Sequence, residues 1–286
     1  VQITQSEDRQ FVQTATPDNR FVIFQSDVGG REMYDLFAVS PQGGAVVNLT
    51  GTKDASDTSP VAAPDNTTIA YSVRLEKAPA TNLAILDLAT RKARVLTHEK
   101  DPTRMWTAVA FSADSRTLIA NRHDILQSHG EIYRVDVASG KATLVTVKGA
   151  KGRVEAAGLS PDGKWLSATV ETAAGATNAA LVSLAGGEMR WLKPDVWEQV
   201  AGRFSPDGRT VLLHSNVDGR DVTYLATVDS KEVREVGLPP GINSDWSGQL
   251  PAFTPDGSRL LFPHSSGSEP MEYWVYEFKT QQSKSV

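Results

Sequence analysis

The sequence has no cysteine among its 286 residues, and this absence excludes disulfides, thiolate nucleophiles and cysteine-ligated zinc. It has no apolar run of about 18 residues or more, the length that a membrane-spanning helix needs. It also has no basic run, and its net charge is -5. We therefore expect neither a membrane span nor a nucleic-acid partner, since phosphate binding needs concentrated Lys and Arg.

The N-terminus, VQITQSEDRQ, lacks both a starting methionine and the basic-then-apolar pattern of a signal peptide. We therefore expect the chain to be either a matured product whose signal was removed or a domain cut from a longer protein. The sequence does not decide the cellular compartment. The hydrophobic fraction of 40% and the charged fraction of 22% are those of an ordinary globular protein. The length allows one large β domain or two average domains.

One turn sequence occurs six times and divides the chain into units of similar length. Its copies read TPDNRFVIFQS, APDNTTIAYSV, SADSRTLIANR, SPDGKWLSATV, SPDGRTVLLHS and TPDGSRLLFPH. The aspartates of these copies lie 45 to 49 residues apart, at Asp18, Asp65, Asp114, Asp162, Asp207 and Asp256. Each is followed by an alternating segment such as IYRVDVAS, then by a turn and a short outer segment such as ARVLT. Such alternation predicts half-buried strands.

Four strands in each of six repeats predict an all-β fold, a six-bladed β-propeller of four-stranded antiparallel blades. The whole chain, 1–286, is then one domain. The predicted blades are approximately 10–50, 57–97, 106–146, 154–193, 199–237 and 248–286. Small residues in the first strands fit a crowded innermost position: Ala62, Ala63, Ala108, Ala110, Ala156, Ala157, Ala201 and Gly202.

The turn that follows each first strand requires a residue that accepts a positive φ, which glycine and asparagine do best. The third repeat has Ala113-Asp114-Ser115 and so lacks both the proline and the glycine. We expect this turn to be the least regular of the six. At the chain ends, VQIT (1–4) is expected to be an extra outer strand and competes with SKSV for the outer place in the last blade.

The SPDG turn before an apolar strand, and DLAT or DVASGK before an outer strand, resemble the TolB-type propeller repeat. Over all 286 residues the order of these pieces, with LPPGINSDWSGQLPAFTPDGSRLLF near the end, resembles the propeller domain of prolyl oligopeptidase-family serine peptidases. In that family a separate α/β-hydrolase domain supplies the catalytic Ser, Asp and His, and the propeller admits short peptides to it.

This chain departs from that family in lacking a hydrolase domain and in having six repeats where seven are usual. Its closest approach to a G-x-S-x-G nucleophile elbow is Gly158-Leu159-Ser160-Pro161-Asp162, which has Asp in place of the second Gly. The resemblance therefore implies no catalytic residue and no cofactor in this chain. It implies a peptide or protein partner, and an attached or separate α/β-hydrolase domain.

Metal and acid–base sites are the less favoured interpretations of the polar residues. His123, His214 and His264 follow their turn aspartates by nine, seven and eight residues, so they do not share a register, and we expect structural or surface roles. The segments KDASD (53–57) and SDVGGREMYD (26–35) are rich in carboxylates, but nothing in the sequence singles out a pair.

Strand order places the Pro-Asp turns on one face and the blade-to-blade loops on the other, where loop-borne binding residues are expected. Candidate partner- or peptide-binding residues on these loops are Arg104, Trp106, Trp197, Glu198, Asp245 and Trp246. Exposed Trp with Arg is a common composition of recognition surfaces, but wedging of the tryptophans between blades is the alternative. Arg203 is a seventh candidate, because the other blades have a small or uncharged residue at its position.

These observations favour a non-catalytic propeller module that gates substrate access or binds a protein or peptide. A free-standing TolB-like binding protein of the bacterial envelope is the first alternative. A propeller-fold lyase or glycosidase is the second, and it would need a cluster of metal ligands or carboxylates.

Overall fold

The computed structural model describes residues 2–27, 29–230, 232–244 and 250–286. The chain divides into two compact units, Val1–Val145 and Thr146–Val286. In the described ranges the residues form strands, turns and loops, and no helix there is long and apolar enough to cross a membrane.

The first unit contains three four-stranded meanders, numbered 1 to 3. Meander 1 is β1 (Gln10–Ala15), β2 (Val22–Asp27), β3 (Tyr34–Val39) and β4 (Val47–Asn48). Meander 2 is β5 (Ala55–Ala62), β6 (Thr68–Leu75), β7 (Ala78–Asp87) and β8 (Ala93–Val95). Meander 3 is β9 (Arg104–Phe111), β10 (Thr117–Asp124), β11 (Gly130–Asp136) and β12 (Ala142–Leu144). One parallel pair, Thr81 with Met105, joins meanders 2 and 3 into an eight-stranded sheet.

The second unit contains meanders 4 to 6, each a separate sheet. Meander 4 is β13 (Val154–Leu159), β14 (Trp165–Glu171), β15 (Thr177–Ser183) and β16 (Met189–Trp191). Meander 5 is β17 (Gln199–Phe204), β18 (Thr210–Val217), β19 (Arg220–Thr227) and β20 (Val233–Glu235). Meander 6 is β21 (Ala252–Phe253), β22 (Arg259–His264), β23 (Glu272–Glu277) and β24 (Gln282–Ser285).

Consecutive strands of a meander are antiparallel, so each meander has two different ends. The Pro-Asp turns and the third-to-fourth strand turns lie at one end, which we call the turn end. The second-to-third strand loops and the segments that enter each first strand lie at the other, which we call the loop end. The apolar core lies between neighbouring sheets of the same unit; Leu181 of β15, for example, shares a buried cluster with Val211 and Leu213 of β18.

A β-bulge interrupts the first strand of meanders 1 to 5 at a similar place. In β17 the bulge falls between Ala201 and Phe204, and a Cβ on Gly202 would lie 2.8 Å from the Cβ of Leu212. The small residue is therefore required by close packing at this bulge. Arg203, in the same bulge, is exposed.

The turn of the third repeat corrects the expectation that it would be irregular. Ser115 has φ 60°, close to the 71° of Gly208, and its N–H donates to the Ser112 carbonyl at 2.8 Å, as Gly208 does to Ser205 at 2.9 Å. The Ser112 hydroxyl donates to Asp114 at 2.6 Å, and the Ser115 hydroxyl accepts from the N–H of Asp65 at 3.1 Å. These bonds hold the turn in the same geometry without glycine.

The N-terminal segment also differs from its sequence prediction. Residues 2–4 of VQIT lie in no strand, and Val1 lies outside the described residues. The outer place in meander 6 is taken by β24, which includes SKS of the C-terminal SKSV and pairs with β23 through residues such as Lys284 with Val275. The C-terminal segment completes its own sheet because it follows β23 through a four-residue turn.

Candidate functional site

The segment that enters meander 5, residues 192–198, is held at the loop end by two buried amide side chains. Asn178 of β15 accepts from the N–H of Asp195 at 2.8 Å and donates to the Asp195 carbonyl at 3.2 Å. Gln199 donates to the Lys193 carbonyl at 2.7 Å and accepts from the N–H of Ala179 at 3.3 Å. Because both amides are almost completely buried, their bonds fix the backbone of this loop against β15.

Charged groups inside the loop add to this ordering. Lys193 forms an ion pair with Asp195, and this hydrogen bond lowers the pKa of Asp195. The Lys193 ammonium also lies 4.9 Å from the centre of the Tyr224 ring. The Asp195 carboxylate accepts from the N–H of Val196 at 2.8 Å. The loop is therefore tied to both β15 and β19.

The same loop presents two apolar side chains to solvent. Val196 is 84% exposed and Trp197 is 38% exposed. Beside them is a pocket of about 320 Å3 lined by apolar and charged groups, among them Lys151, Glu171, Trp191, Pro194 and Asp195. An ordered loop with exposed aromatic and aliphatic side chains next to a pocket is suited to bind an extended peptide or a protein surface.

A second polar network lies at the loop ends of meanders 5 and 6. His214 of β18 lies 3.5 Å from Asp221 of β19, and this hydrogen bond lowers the pKa of the aspartate. Asp221 also accepts from the N–H of Asn243 at 3.1 Å, and the Asn243 amide oxygen lies 2.9 Å from His264 Nδ1. His264 is buried against Trp274. The network links two neighbouring sheets.

The structure describes five of the seven predicted site residues, and their surroundings differ. Trp197 and Glu198 lie in the loop and are exposed, as expected, and the Glu198 carbonyl accepts from the Ser215 hydroxyl at 2.9 Å. Asp245 and Trp246 lie outside the described residues. Arg203 is exposed but lies in the β17 bulge, and its Cα would be 3.4 Å from a Cβ on Gly158.

Arg104 and Trp106 need correction, because both lie in strand β9 and not in the loop before it. Trp106 is only 6% exposed and packs in the core between meanders 2 and 3, with its ring 4.8 Å from that of Tyr133. The alternative reading of a tryptophan wedged between sheets is thus the right one for Trp106. Its burial removes it from the exposed recognition surface.

Sequence reasoning missed a pair of carboxyl groups in the first unit. Asp35, at the start of β3, and Asp57, near the start of β5, lie on either side of the Thr52 hydroxyl, which is 3.0 Å from Asp35 Oδ1 and 2.9 Å from Asp57 Oδ2. Asp35 also accepts from the Thr50 hydroxyl at 3.2 Å and from Asn48 at 2.9 Å. Both acidic segments are visible in the sequence, but no local pattern indicates that these two positions meet.

Asp57 is fully buried, and its Oδ1 has no hydrogen-bond partner among the described residues. Burial raises the pKa of Asp57 to about 6, and the nearby Asp35 adds to the shift. One hydroxyl has one hydrogen, so a protonated Asp57 donates to Thr52 while Thr52 donates to Asp35. Asp57 has no solvent access and Asp35 has little, and the shared Thr52 hydroxyl ties β3 to β5 through the pair.

Among residues 2–27, 29–230, 232–244 and 250–286, no group of three or more His, Asp or Glu side chains converges as metal ligands would. His123 instead lies 3.3 Å from the Thr107 hydroxyl, and His214 and His264 belong to the buried network.

No protein-family model and no curated protein matches the chain. Solved structures do match it. An oligogalacturonate lyase from Vibrio parahaemolyticus is 16% identical with a TM-score of 0.74, covering 99% of this chain and 80% of that one. TolB from Acinetobacter baumannii is 19% identical with a TM-score of 0.66, covering 96% and 62%. Dipeptidyl peptidase 4 from Porphyromonas gingivalis is 16% identical with a TM-score of 0.64, covering 98% and 45%.

These likenesses define the fold. The chain is an all-β propeller with four-stranded antiparallel blades, related at low identity to TolB, to peptidase propellers and to oligogalacturonate lyase. The propeller predicted from the repeat is thereby confirmed. Since one fold occurs in TolB, in peptidases and in a lyase, function has to be argued from the site.

Proposed function

We propose that the chain is a non-catalytic, six-bladed propeller module that binds a peptide or protein partner at its loop end. The observation that carries this proposal is the pinned loop 192–198, which presents Val196 and Trp197 to solvent while Asn178 and Gln199 fix its backbone from below. In the manner of a peptidase propeller, such a surface would select the extended chains that reach an attached or separate α/β-hydrolase domain.

The energetic reason is preorganisation. A loop that is already ordered loses little conformational entropy when a partner binds, so more of the contact energy appears as affinity. Tryptophan at such a position buries a large apolar area with few rotatable bonds. The neighbouring pocket, with Lys151, Glu171 and Asp195 at its walls, offers charges of both signs to the partner's backbone or side chains.

The test is to replace Val196 with Ser and Trp197 with Ala together, and to measure binding of a random library of unstructured eight-residue peptides to the immobilised protein. The parent protein should retain a defined subset of the library, and the double variant should lose that subset by about tenfold or more. Its free energy of unfolding should stay within about 0.5 kcal/mol, because both side chains are exposed.

Leu126→Ser is the matched control, since Leu126 is 83% exposed at the loop end of meander 3. It should leave the retained subset unchanged. Equal loss in the control would show non-specific adhesion, and a large loss of stability in the double variant would show that Trp197 is a packing residue. Either result contradicts the proposal.

A lyase is the second candidate, because this chain matches a larger share of the Vibrio oligogalacturonate lyase than of the other two structures. The matched share is 80% of the lyase chain, 62% of TolB and 45% of the dipeptidyl peptidase. Incubation with oligogalacturonate, with and without an added divalent metal, distinguishes the two. The binding-module proposal requires no cleavage in either case. A free-standing TolB-like protein would share the peptide-binding result but act without a hydrolase partner.

A further inference from the structure

A groove of about 510 Å3 lies between meanders 5 and 6 at their turn ends. Leu225, Phe253 and Phe278 give it apolar walls, and the guanidinium of Arg234 lies 5.9 Å from the centre of the Phe278 ring. Carboxylates of two Pro-Asp turns, Asp207 and Asp256, line it as well. The groove is at the opposite end of the strands from loop 192–198.

The corresponding space between meanders 4 and 5 is filled by an indole from the chain itself. Trp165 packs against the cluster that includes Phe204 of β17 and Val228 after β19. The Arg190 guanidinium lies 5.9 Å from the centre of the Trp165 ring and donates to the Val228 carbonyl. An arginine thus covers an indole that is held between two sheets.

Hydrogen bonds show that Thr210 occupies the position in meander 5 that Trp165 occupies in meander 4. The N–H of Trp165 donates to the Ser160 hydroxyl at 2.9 Å, and that of Thr210 to the Ser205 hydroxyl at 3.0 Å. Arg190 and Arg234 are likewise equivalent, because each is the middle residue of its outer strand. Thr210 therefore stands where meander 4 has its indole, and the groove is the part of that space that the Phe278 ring does not fill.

Meander 1 provides a second example of the filled arrangement. Phe21 donates its N–H to the Thr16 hydroxyl at 3.1 Å, so it occupies the same position after the turn. Its ring packs against the buried cluster formed by meanders 1 and 2, which includes Ile69 and Leu86. An aromatic side chain at this position is thus a recurrent way to fill the space between sheets.

We propose that the groove between meanders 5 and 6 binds a tryptophan side chain of a partner peptide, with the indole next to Thr210 and beside the Phe278 ring that Arg234 covers. Asp207 and Asp256 then favour basic residues on either side of that tryptophan, because both carboxylates are ionised: hydroxyl donors, from Ser205 and Thr254 respectively, lower their pKa values. This site does not rest on the loop-end proposal.

The test uses three capped tripeptides, Lys-Trp-Lys, Lys-Leu-Lys and Glu-Trp-Glu, titrated into the isotope-labelled protein while amide NMR shifts are followed. Lys-Trp-Lys should shift the amides of Thr210, Phe253, Gly257 and Phe278 together. Lys-Leu-Lys should bind about tenfold more weakly, because it offers no ring to Arg234. Glu-Trp-Glu should also bind more weakly than Lys-Trp-Lys, because Asp207 and Asp256 repel its carboxylates. Added salt should reduce the difference in affinity between these two peptides.

Thr210→Trp is the decisive variant, since it places in meander 5 the indole that meander 4 already has. It should raise the melting temperature and abolish Lys-Trp-Lys binding by filling the groove. Arg209→Trp is its control, because the Arg209 side chain is 84% exposed and an indole there fills nothing. That control should bind as the parent does.

Arg234→Met keeps the length of the side chain and removes its charge, so it tests the proposal even if Thr210→Trp fails to fold. It should weaken Lys-Trp-Lys binding by about fivefold while leaving Lys-Leu-Lys unchanged. The proposal is overturned if the tripeptides bind equally, if the shifted amides lie elsewhere, or if a folded Thr210→Trp variant binds within about twofold of the parent.

Discussion

The two ends of the meanders hold their carboxyl groups in different ways. At the turn end, Asp18, Asp114, Asp162, Asp207 and Asp256 each accept a bond from a Ser or Thr hydroxyl two residues earlier, and this bond lowers the pKa of every one of them. At the loop end of the first unit, Asp57 is buried beside Asp35 and burial raises its pKa to about 6. The turn end repeats one local arrangement, whereas the loop end holds its carboxyl groups in several different ways, among them the buried pair of Asp35 and Asp57 and the ion pair of Asp195 with Lys193.

At the loop end, loop length differs between meanders without a change in the sheets. The second-to-third strand loops run from two residues (218–219) to seven (265–271), yet the sheets they join keep the same pairing. Each Pro-Asp turn, in contrast, contacts a neighbouring one: the Asp18 N–H donates to the Asn66 side chain at 2.9 Å. Binding at the loop end can therefore change without disturbing these turns.

The largest expected effect comes from Asp57→Asn, which imitates the protonated carboxyl and removes its titration. The pKa of Asp57 is raised on folding, so between its unfolded value of 3.8 and about 6 the folded state binds the extra proton. The contribution of Asp57 to the free energy of unfolding is therefore fully present below about pH 4 and is lost as the pH rises through about 6. Relative to the parent, the variant should gain up to about 3 kcal/mol over that interval.

Urea unfolding of both proteins between about pH 4 and pH 8 measures this gain. Asp207→Asn is the control from the turn end, where the sign is reversed: a lowered pKa gives stability that is present at neutral pH and lost as pH falls. If Asp57→Asn shows no relative gain with rising pH, the contrast between the two ends does not hold.

A smaller effect is expected from Asn178→Ala, which removes one of the two buried amide side chains that hold loop 192–198. The variant loses the bonds to both the N–H and the carbonyl of Asp195 in a buried setting, so it should cost about 2 kcal/mol. Hydrogen exchange at Val196 and Trp197 should also accelerate. Urea unfolding and exchange by mass spectrometry measure the two quantities.

Asn216→Ala is the matched control, because Asn216 also accepts a backbone bond, from Gly219 at 3.0 Å, but is exposed. Its cost should stay within about 0.5 kcal/mol. Equal costs for the two variants would mean that burial of the Asn178 bonds adds nothing to their contribution to stability.

The sequence is sufficient to predict what depends on neighbouring residues. Alternation and turn chemistry act over a few residues, and so they predict the strands, the antiparallel meanders and the positive φ of Gly163, Gly208 and Gly257. The meeting of Asp35 with Asp57, however, depends on how meander 1 packs on meander 2, which no local pattern specifies. Trp106 and Trp197 show the same limit of sequence-based prediction. Both precede a Pro-Asp-type turn, but Trp106 is buried and Trp197 is exposed, and this difference depends on how the sheets pack.

The smallest effect is expected at the turn end, from Ser115→Gly. Glycine removes the strain of a positive φ, which costs about 1 kcal/mol. The change also removes the hydrogen bond that the Ser115 hydroxyl accepts from the N–H of Asp65, and this bond contributes about as much. The free energy of unfolding, measured by thermal denaturation, should therefore differ from that of the parent by no more than about 0.5 kcal/mol. The reverse change, Gly208→Ser, should cost about 1 kcal/mol, because a Cβ there lies 3.2 Å from the Pro161 ring. A clear loss in Ser115→Gly would show that the contact between neighbouring turns, rather than the bonds within each one, sets the regularity of this end.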